Sequence, residues 1–184
     1  YLLTENPDLS ITNKDGNTAF HIACFKGNYN GVHRLIKLGA SVNCGNSMND
    51  TPLHCAVRSG SYNTVLILLN NGASAVLEHK NEHEETPLHT AVVSKKKNLK
   101  VVELLVEYGS DVHNINKYNK TILRSLMEQP KTISRETIRT YLQRIYYRRY
   151  DTDEYNRLLR NFPEIRPFEI DTEIPEELEK DFRP

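Results

Sequence analysis

The sequence lacks the features that mark a membrane protein, a nucleic-acid-binding protein or a secreted protein. Its 24 Lys and Arg residues balance 24 Asp and Glu residues, so the net charge gives no general attraction to nucleic acid or to an anionic membrane. No apolar run of about 18 residues and no signal peptide occur, so no membrane span is predicted. Position 1 is a tyrosine, which favours a fragment or a processed product.

Cysteine is scarce, and the signatures of catalysis are missing. Cys24, Cys44 and Cys55 are odd in number and lack metal-ligand spacing, so we expect free thiols in a reducing compartment, cytoplasmic or nuclear. His21 lies three residues before Cys24, but no second ligand pair accompanies them, so no zinc site is predicted. No nucleophile elbow, phosphate-binding glycine loop or His-Glu-x-x-His motif occurs. We expect no catalytic activity, metal or cofactor.

Four stretches of the chain are nearly alike: Gly16–His21, Asn49–His54, Glu84–His89 and Asn119–Arg124. Three of them contain Thr-Pro-Leu-His or a close variant, and their threonines recur at intervals of 33, 35 and 35 residues. A period of this size predicts a stacked repeat array rather than one globular core. The function of such an array depends on its surface.

Each unit contains a turn, a short apolar segment, a break and a longer apolar segment. In the first complete unit we predict helices at about 19–25 and 29–38, ended by Gly39. The threonine of the motif can cap the first helix, and proline fits the first helical position, where its missing N–H costs nothing. The sequence thus predicts two helices in every unit.

The pattern Gly-x-Thr-Pro-Leu-His-x-Ala, followed by Val-x-x-Leu-Leu-x-x-Gly-Ala, resembles the ankyrin repeat. The resemblance covers residues 1–147 and implies an all-α solenoid of stacked helix-turn-helix units with hairpin loops. It also implies structural roles for the repeated histidines His21, His54 and His89. The predicted units are a partial repeat 1–13, complete repeats 14–46, 47–80 and 81–116, and a capping repeat 117–147.

The third and fourth units depart from the pattern. The break of the third unit, Ser94–Asn98, is two residues longer than its counterparts and contains three lysines, which a solvated loop or an acidic partner would explain. The fourth unit has Arg124 in place of histidine, and we predict that its second helix runs from an N-cap at Ser134 to Tyr147. Its arginines suit the polar outer face of a terminal repeat.

Residues 148–184 form a C-terminal extension with a different composition. A capping box, Asp151-x-x-Glu154, predicts a short helix at about 152–161. The segment 161–184 has three basic and eight acidic residues, and it combines prolines with large apolar groups. Because a solvated linker rarely carries so many apolar groups, we expect this segment to dock on the array or on another molecule.

The resemblance implies a protein partner bound at the hairpin tips and the exposed side of the first helices, which together form the concave face of ankyrin stacks. Large apolar groups there often anchor an interface. We expect a monomer that contacts its partner through Lys14, Asp15, Asn17, Phe25, Lys26, Ser47, Met48, Asp50, Arg58, Ser59, Glu82, His83, Glu85, Val93, Lys117, Tyr118 and Lys120.

Three alternatives to a simple interaction module remain. Ile174–Leu178 and Thr137–Leu142 faintly resemble parts of an F-box-like or SOCS-box-like segment, so the chain could be a substrate adaptor for ubiquitin ligation. It could also be the regulatory arm of a larger enzyme or channel. The shared fold alone suggests the third, a masking inhibitor of a transcription factor.

Overall fold

The computed structural model describes residues 8–149, 160, 161 and 163. The chain divides into two compact units, 1–139 and 140–184, a division that falls within the last helix described. Residues 1–7 of the predicted partial repeat lie outside the described residues. So do the predicted capping box at 151–154, the box-like segment 174–178 and the segment expected to dock, apart from Asn161 and Pro163.

In the described part of the first unit the regular elements are helices joined by turns, and no strand is formed, as the all-α prediction requires. The helices are α1 (Ala19–Lys26), α2 (Tyr29–Lys37), α3 (Pro52–Ser59), α4 (Tyr62–Asn70), α5 (Pro87–Val93), α6 (Leu99–Glu107), α7 (Ile122–Met127) and α8 (Ile133–Arg149), the last of which continues into the second unit. In the second unit, residues 160 and 161 are also helical.

The helices of the first unit pack in two layers. The first helices of successive repeats, α1, α3, α5 and α7, lie side by side in an inner layer, and the second helices, α2, α4 and α6, form an outer layer. Leu53, Leu88 and Leu123, at the leucine position of the motif, are completely buried. The core therefore extends along the stack, as expected for an array in which each repeat contacts its neighbours.

The predicted caps are present at most helix ends. Thr18, Thr86 and Thr121 each accept a hydrogen bond from the backbone N–H three residues later, and Pro52 and Pro87 occupy first helical positions. Gly39 has a left-handed φ of 87°, as the predicted stop of α2 requires.

The predicted N-cap of α8 at Ser134 is wrong. The helix begins at Ile133, and Thr132 supplies the cap: its Oγ1 accepts the N–H of Arg135 at 3.1 Å. Both hydroxyl residues suit an N-cap. Thr132 rather than Ser134 is the cap because the N–H of Arg135, the third residue of the helix, donates to the hydroxyl of Thr132.

Two insertions explain why the period lengthens from 33 to 35 residues. The extra residues of the third unit lie between α5 and α6, in the loop 94–98, as predicted. Those of the second unit lie after α4, where Ala73–Val76 forms a 3-10 helix. Both insertions lie outside the α-helices, so the first helix of each repeat keeps its position directly after the motif threonine, whereas α6 begins two residues later in its repeat than α2 and α4 do.

Candidate functional site

An asparagine holds each hairpin turn together. Its Oδ1 accepts the backbone N–H groups of the residues two and four positions further on, at 2.9 to 3.1 Å, in all four turns. These side chains act as internal turn templates. This role was not predicted from the sequence, although its signal is present at the repeat interval, in Asn13, Asn46, Asn81 and Asn116.

Backbone hydrogen bonds join the tips of neighbouring turns into a tip ladder. Ser47 N–H donates to the carbonyl of Asp15 at 3.1 Å, and Glu82 N–H donates to that of Met48 at 3.0 Å. Lys117 N–H donates to the carbonyl of His83 at 3.1 Å. The register is the same at each step, so the tips of four turns form one continuous row.

Eight of the residues predicted to contact a partner occupy this tip row, and most are exposed. They are the first and second residues after each turn asparagine. Met48 is 40% exposed and Tyr118 is 59% exposed, so the row presents two large side chains that the fold does not bury. The row consists of Lys14, Asp15, Ser47, Met48, Glu82, His83, Lys117 and Tyr118.

Two lysines flank the exposed ring of Tyr118. Lys117 Nζ lies 5.3 Å and Lys120 Nζ 5.9 Å from the ring centroid, within the range of cation–π contact. Lys120 Nζ also lies 2.5 Å from Glu128 Oε2, and this hydrogen bond lowers the pKa of Glu128. The last tip of the row thus combines an aromatic face with two positive charges.

Asp50 does not belong to the exposed surface, and its assignment as a partner contact is corrected. It is 4% exposed, and its carboxylate accepts hydrogen bonds from Arg58 and, at 2.8 Å, from Asn81 Nδ2. Burial alone would raise the pKa of Asp50, but these hydrogen bonds and the charge of Arg58 outweigh burial and lower it. Asp50 therefore links its own helix to the next turn.

Other predicted residues at the turn ends make similar contacts. Asn17 Oδ1 accepts from Asn46 Nδ2 at 2.8 Å, which links the first turn to the second. Glu85 is half-buried, and its backbone carbonyl accepts from His54. Asn17, Glu85 and Lys120 occupy the same position of the repeat as Asp50, directly before the capping threonine.

The remaining predicted residues lie at the carboxyl ends of the first helices. Phe25 is 53% exposed and Lys26 is also exposed, whereas Ser59 and Val93 are half-buried. Arg58 occupies the position equivalent to Phe25 and reaches Asp50 at the turn of its own repeat. In the second repeat this ion pair spans the first helix from its carboxyl end to the turn, so the two sets of residues lie along the same side of that helix.

The repeated histidines are structural. His21 Nε2 lies 3.1 Å from the carbonyl of Cys44, and His54 Nε2 lies 3.0 Å from that of Glu85. On the other side of each ring, Nδ1 accepts the backbone N–H of the capping threonine, Thr18 or Thr51, at 3.3 and 3.2 Å. Because Nδ1 accepts and Nε2 donates, each ring is neutral with its proton on Nε2.

Burial keeps these rings uncharged. It lowers the pKa of His54 to about 4 and that of His89 to about 4, and it also lowers the pKa of His21. The backbone carbonyls near the rings, of Glu85 for His54 and of Lys120 for His89, oppose this effect and do not overcome it. Histidines in this state are committed to the stack and are poor candidates for proton transfer at neutral pH.

The three cysteines differ in burial, and all are free thiols. Cys24 and Cys55 are buried, whereas Cys44 is half-buried. Burial raises the pKa of each, so the thiolate is disfavoured.

Within residues 8–149, 160, 161 and 163, no group of three or more His, Cys, Asp or Glu side chains could hold a metal ion. No helix in that part of the chain is both long and apolar enough to cross a bilayer.

Comparison with protein families identifies the array. Residues 1–79 match the family model described as ankyrin repeats (3 copies), and residues 83–117 match the ankyrin repeat. The chain belongs to the ankyrin-repeat family. Members of this family are generally protein–protein interaction modules and are typically non-catalytic. No curated protein matches the chain.

Proposed function

We propose that the chain is a non-catalytic module that binds a protein partner through the tip row and the exposed ends of its first helices. The observation that carries this proposal is the tip ladder, because it places side chains of four repeats next to one another in a fixed register. A partner that spans several repeats would meet one preorganised surface, and preorganisation reduces the entropic cost of binding.

The composition of this surface supports a specific protein contact. Met48, Phe25 and Tyr118 are large and exposed, and the histidines that could have served catalysis are occupied within the stack. Aromatic and methionine side chains are enriched at protein interfaces. Acidic Glu82 and basic Lys117 lie in neighbouring turns of the row, which supplies charges of both signs for selecting a partner.

Affinity capture with the intact chain tests the proposal when tip and outer-helix variants are compared. Met48→Ala with Tyr118→Ala removes the two large tip side chains, whereas Tyr62→Ala with Leu38→Ala removes groups of similar exposure from the outer layer. Proteins retained by the wild type are quantified by mass spectrometry, and the midpoint of thermal unfolding is measured for every variant.

The proposal requires at least one captured protein to be lost with the tip variant and retained with the outer-helix variant, at similar thermal midpoints. Equal retention by both variants would show that the tip row is not the binding surface. Equal loss from both would show that binding depends on general hydrophobic exposure.

We further propose a division into an ankyrin array, 1–147, and an extension, 148–184. A monomer in a reducing compartment, cytoplasmic or nuclear, is consistent with the three free thiols. Comparing capture by the full chain with capture by a chain ending at Tyr150 separates partners of the array from partners that need the extension.

A further inference from the structure

The third and fourth tips of the tip row carry opposite charges at the same turn position. Glu82 and Lys117 each follow directly after a turn asparagine, and both are exposed. Within the described residues, neither side chain takes part in an ion pair. Lys117 Nζ donates to the backbone carbonyl of Glu82 at 3.4 Å, which leaves its charge without a neutralising carboxylate. Both charges are therefore accessible to a partner.

The exposed ring of Tyr118 adds an apolar surface next to the charge of Lys117. Lys117 Nζ lies 5.3 Å and Lys120 Nζ 5.9 Å from the ring centroid, but Lys120 is also paired with Glu128. The unbalanced positive charge at this tip is thus that of Lys117. An acidic side chain of a partner fits the fourth tip, because its carboxylate meets the ammonium group and its methylene groups pack beside the ring.

The second tip favours an apolar group. Met48 is exposed, and Ser47 beside it is small and uncharged. The thioether side chain of methionine is flexible and polarizable, so it adapts to apolar groups of different shape. The backbone carbonyl of Met48 accepts the N–H of Glu82 at 3.0 Å, which fixes the second tip relative to the third. Three successive tips therefore present an apolar, a negative and a positive contact, in that order.

The spacing of the tips matches one turn of a polyproline II helix. The first helices lie side by side, and the axes of packed helices are about 8 to 10 Å apart, so successive tips are separated by about the same distance. A polyproline II helix advances about 9 Å in each three-residue turn, so every third side chain lies on the same face. In a β-strand, by contrast, side chains three residues apart point to opposite faces.

We propose that the tip row binds a polyproline II segment of the protein partner that presents one side chain to each tip. The segment carries an acidic residue against Lys117 and Tyr118, a basic residue against Glu82 three positions away, and an apolar residue against Met48 three positions further on. This inference rests on the proposed function and specifies the partner of the same surface. Because a polyproline II segment is already extended before it binds, it loses little conformational entropy on the row.

A protein segment fits the tip row better than a single-stranded nucleic acid. An exposed tyrosine beside lysines is also a feature of surfaces on which bases stack. Such surfaces need positive charge along the whole backbone of the strand, whereas Glu82 lies in the tip next to Tyr118. A strand that reached from the fourth tip to the third would bring a phosphate close to this carboxylate, and like charges in contact disfavour binding.

Selection of displayed peptides on the full chain tests the proposal. One library has the frame X-Pro-Pro-X-Pro-Pro-X, in which X is any residue and the prolines favour polyproline II. A control library, X-Pro-X-Pro-X, places the variable residues two positions apart. The first library should yield acidic, basic and apolar residues in that order or its reverse, about tenfold enriched over the control library. Equal enrichment of the two libraries, enrichment without this order, or no enrichment would overturn the proposal.

Charge reversal then tests the individual contacts with the most enriched peptide, labelled with fluorescein and measured by fluorescence anisotropy. Lys117→Glu should weaken binding about tenfold, and arginine in place of the acidic peptide residue should restore it. Lys100→Glu, which reverses an exposed charge on α6 in the outer layer, should change binding about twofold or less. Equal effects of the two variants would overturn the proposal, and thermal unfolding checks that both are folded.

Two further measurements use the same peptide. Exchanging its acidic and basic residues tests both charged contacts on the wild-type chain and should also weaken binding about tenfold. A ten-nucleotide single-stranded DNA tests the competing ligand, and tighter binding of this DNA than of the peptide would overturn the proposal. Peptide binding that survives Met48→Ala with Tyr118→Ala would place the peptide elsewhere and refute the assignment to the tip row.

Failure of this proposal can be distinguished from failure of the proposed function. If affinity capture loses a protein with Met48→Ala and Tyr118→Ala while neither library is enriched, the tip row binds a partner in another way than through a polyproline II segment. If capture loses no protein with these substitutions, the tip-row function itself fails.

Discussion

Asp50 and Arg58 form an ion pair between the turn and the first helix of the second repeat, and the fourth repeat contains the same pair with its charges exchanged. Lys120 occupies the position of Asp50, and Glu128 occupies that of Arg58. The geometry therefore belongs to the repeat, whereas the sign of each charge belongs to the individual unit. The two pairs differ in burial, since the Asp50 side chain is 6% exposed and that of Glu128 is 40% exposed.

This difference predicts unequal coupling energies. In a double-mutant cycle of Asp50→Asn and Arg58→Gln, measured by urea unfolding, we expect a coupling of about 1 to 3 kcal/mol, because a buried carboxylate and a partly buried guanidinium compensate each other. The matched cycle of Lys120→Gln and Glu128→Gln should give a smaller value, since solvent screens an exposed pair. Equal couplings would show that burial does not set the strength of these pairs.

The buried histidines predict that stability falls in mild acid. The folded-state pKa values of His54 and His89 are lowered to about 4, below the ordinary 6.5 of the unfolded chain. Between pH 4 and pH 6.5 the unfolded state binds more protons than the folded state. The contribution of the neutral histidines to the free energy of unfolding is therefore complete above about pH 6.5 and is lost as the pH falls toward 4. Within that window, each of these two histidines should lower the free energy of unfolding by about 1.4 kcal/mol for every unit by which the pH falls.

Urea unfolding at several pH values between 7.5 and 4.5 measures this dependence. His54→Gln removes one of the titrating rings, so the variant should be less stable at pH 7.5 and should lose less stability on acidification. His33 and His113 lie outside the repeated Thr-Pro-Leu-His motif, so His33→Gln and His113→Gln serve as control variants. A wild-type stability that stays constant from pH 7 to pH 5 would contradict the prediction.

A third prediction concerns Glu84, which adopts a left-handed φ of 53° at the fourth position of its turn. The equivalent residues are Gly16, Asn49 and Asn119, which tolerate this conformation better than glutamate. Glu84→Gly should raise the free energy of unfolding by about 0.5 to 1 kcal/mol, after allowance for the greater freedom of glycine in the unfolded chain. Chemical denaturation measures the change.

Gly16→Ala is the opposing control for this turn position. A Cβ at Gly16 would lie 2.5 Å from both the backbone nitrogen and Oγ of Ser47, in the neighbouring tip. Alanine there adds a steric conflict to the unfavourable φ of 72°, so the substitution should destabilise the protein. A stabilising Gly16→Ala, or a destabilising Glu84→Gly, would show that the turns are not equivalent in the way that their hydrogen bonds indicate.

The sequence predicted most of the fold because the repeat supplies the same information several times. The Thr-Pro-Leu-His motif located the caps, the first helices and the buried histidines. The extra length of the loop 94–98 was equally visible, because its lysines interrupt a pattern that the other units keep. The 3-10 helix Ala73–Val76 was missed, since its small and apolar residues resemble the ordinary end of a repeat.

The contacts of the candidate surface were less accessible from sequence. Asp50 occupies a turn position at which Asn17 and Lys120 also occur, and nothing in its identity shows that Arg58 and Asn81 enclose it. The same is true of Thr132, which caps α8 in preference to the nearby Ser134. These outcomes depend on distances between side chains of different repeats and on the first turn of a helix, which spacing alone does not give.

The tip ladder has a consequence for observing the array at work. Ser47, Glu82 and Lys117 are exposed, yet the amide hydrogen of each is engaged across one repeat boundary. Exchange of these three hydrogens with deuterium therefore reports the opening of three boundaries separately. A partner that grips only part of the row would slow exchange at the boundaries it covers, so the footprint of an unknown ligand could be located along the stack before its structure is solved.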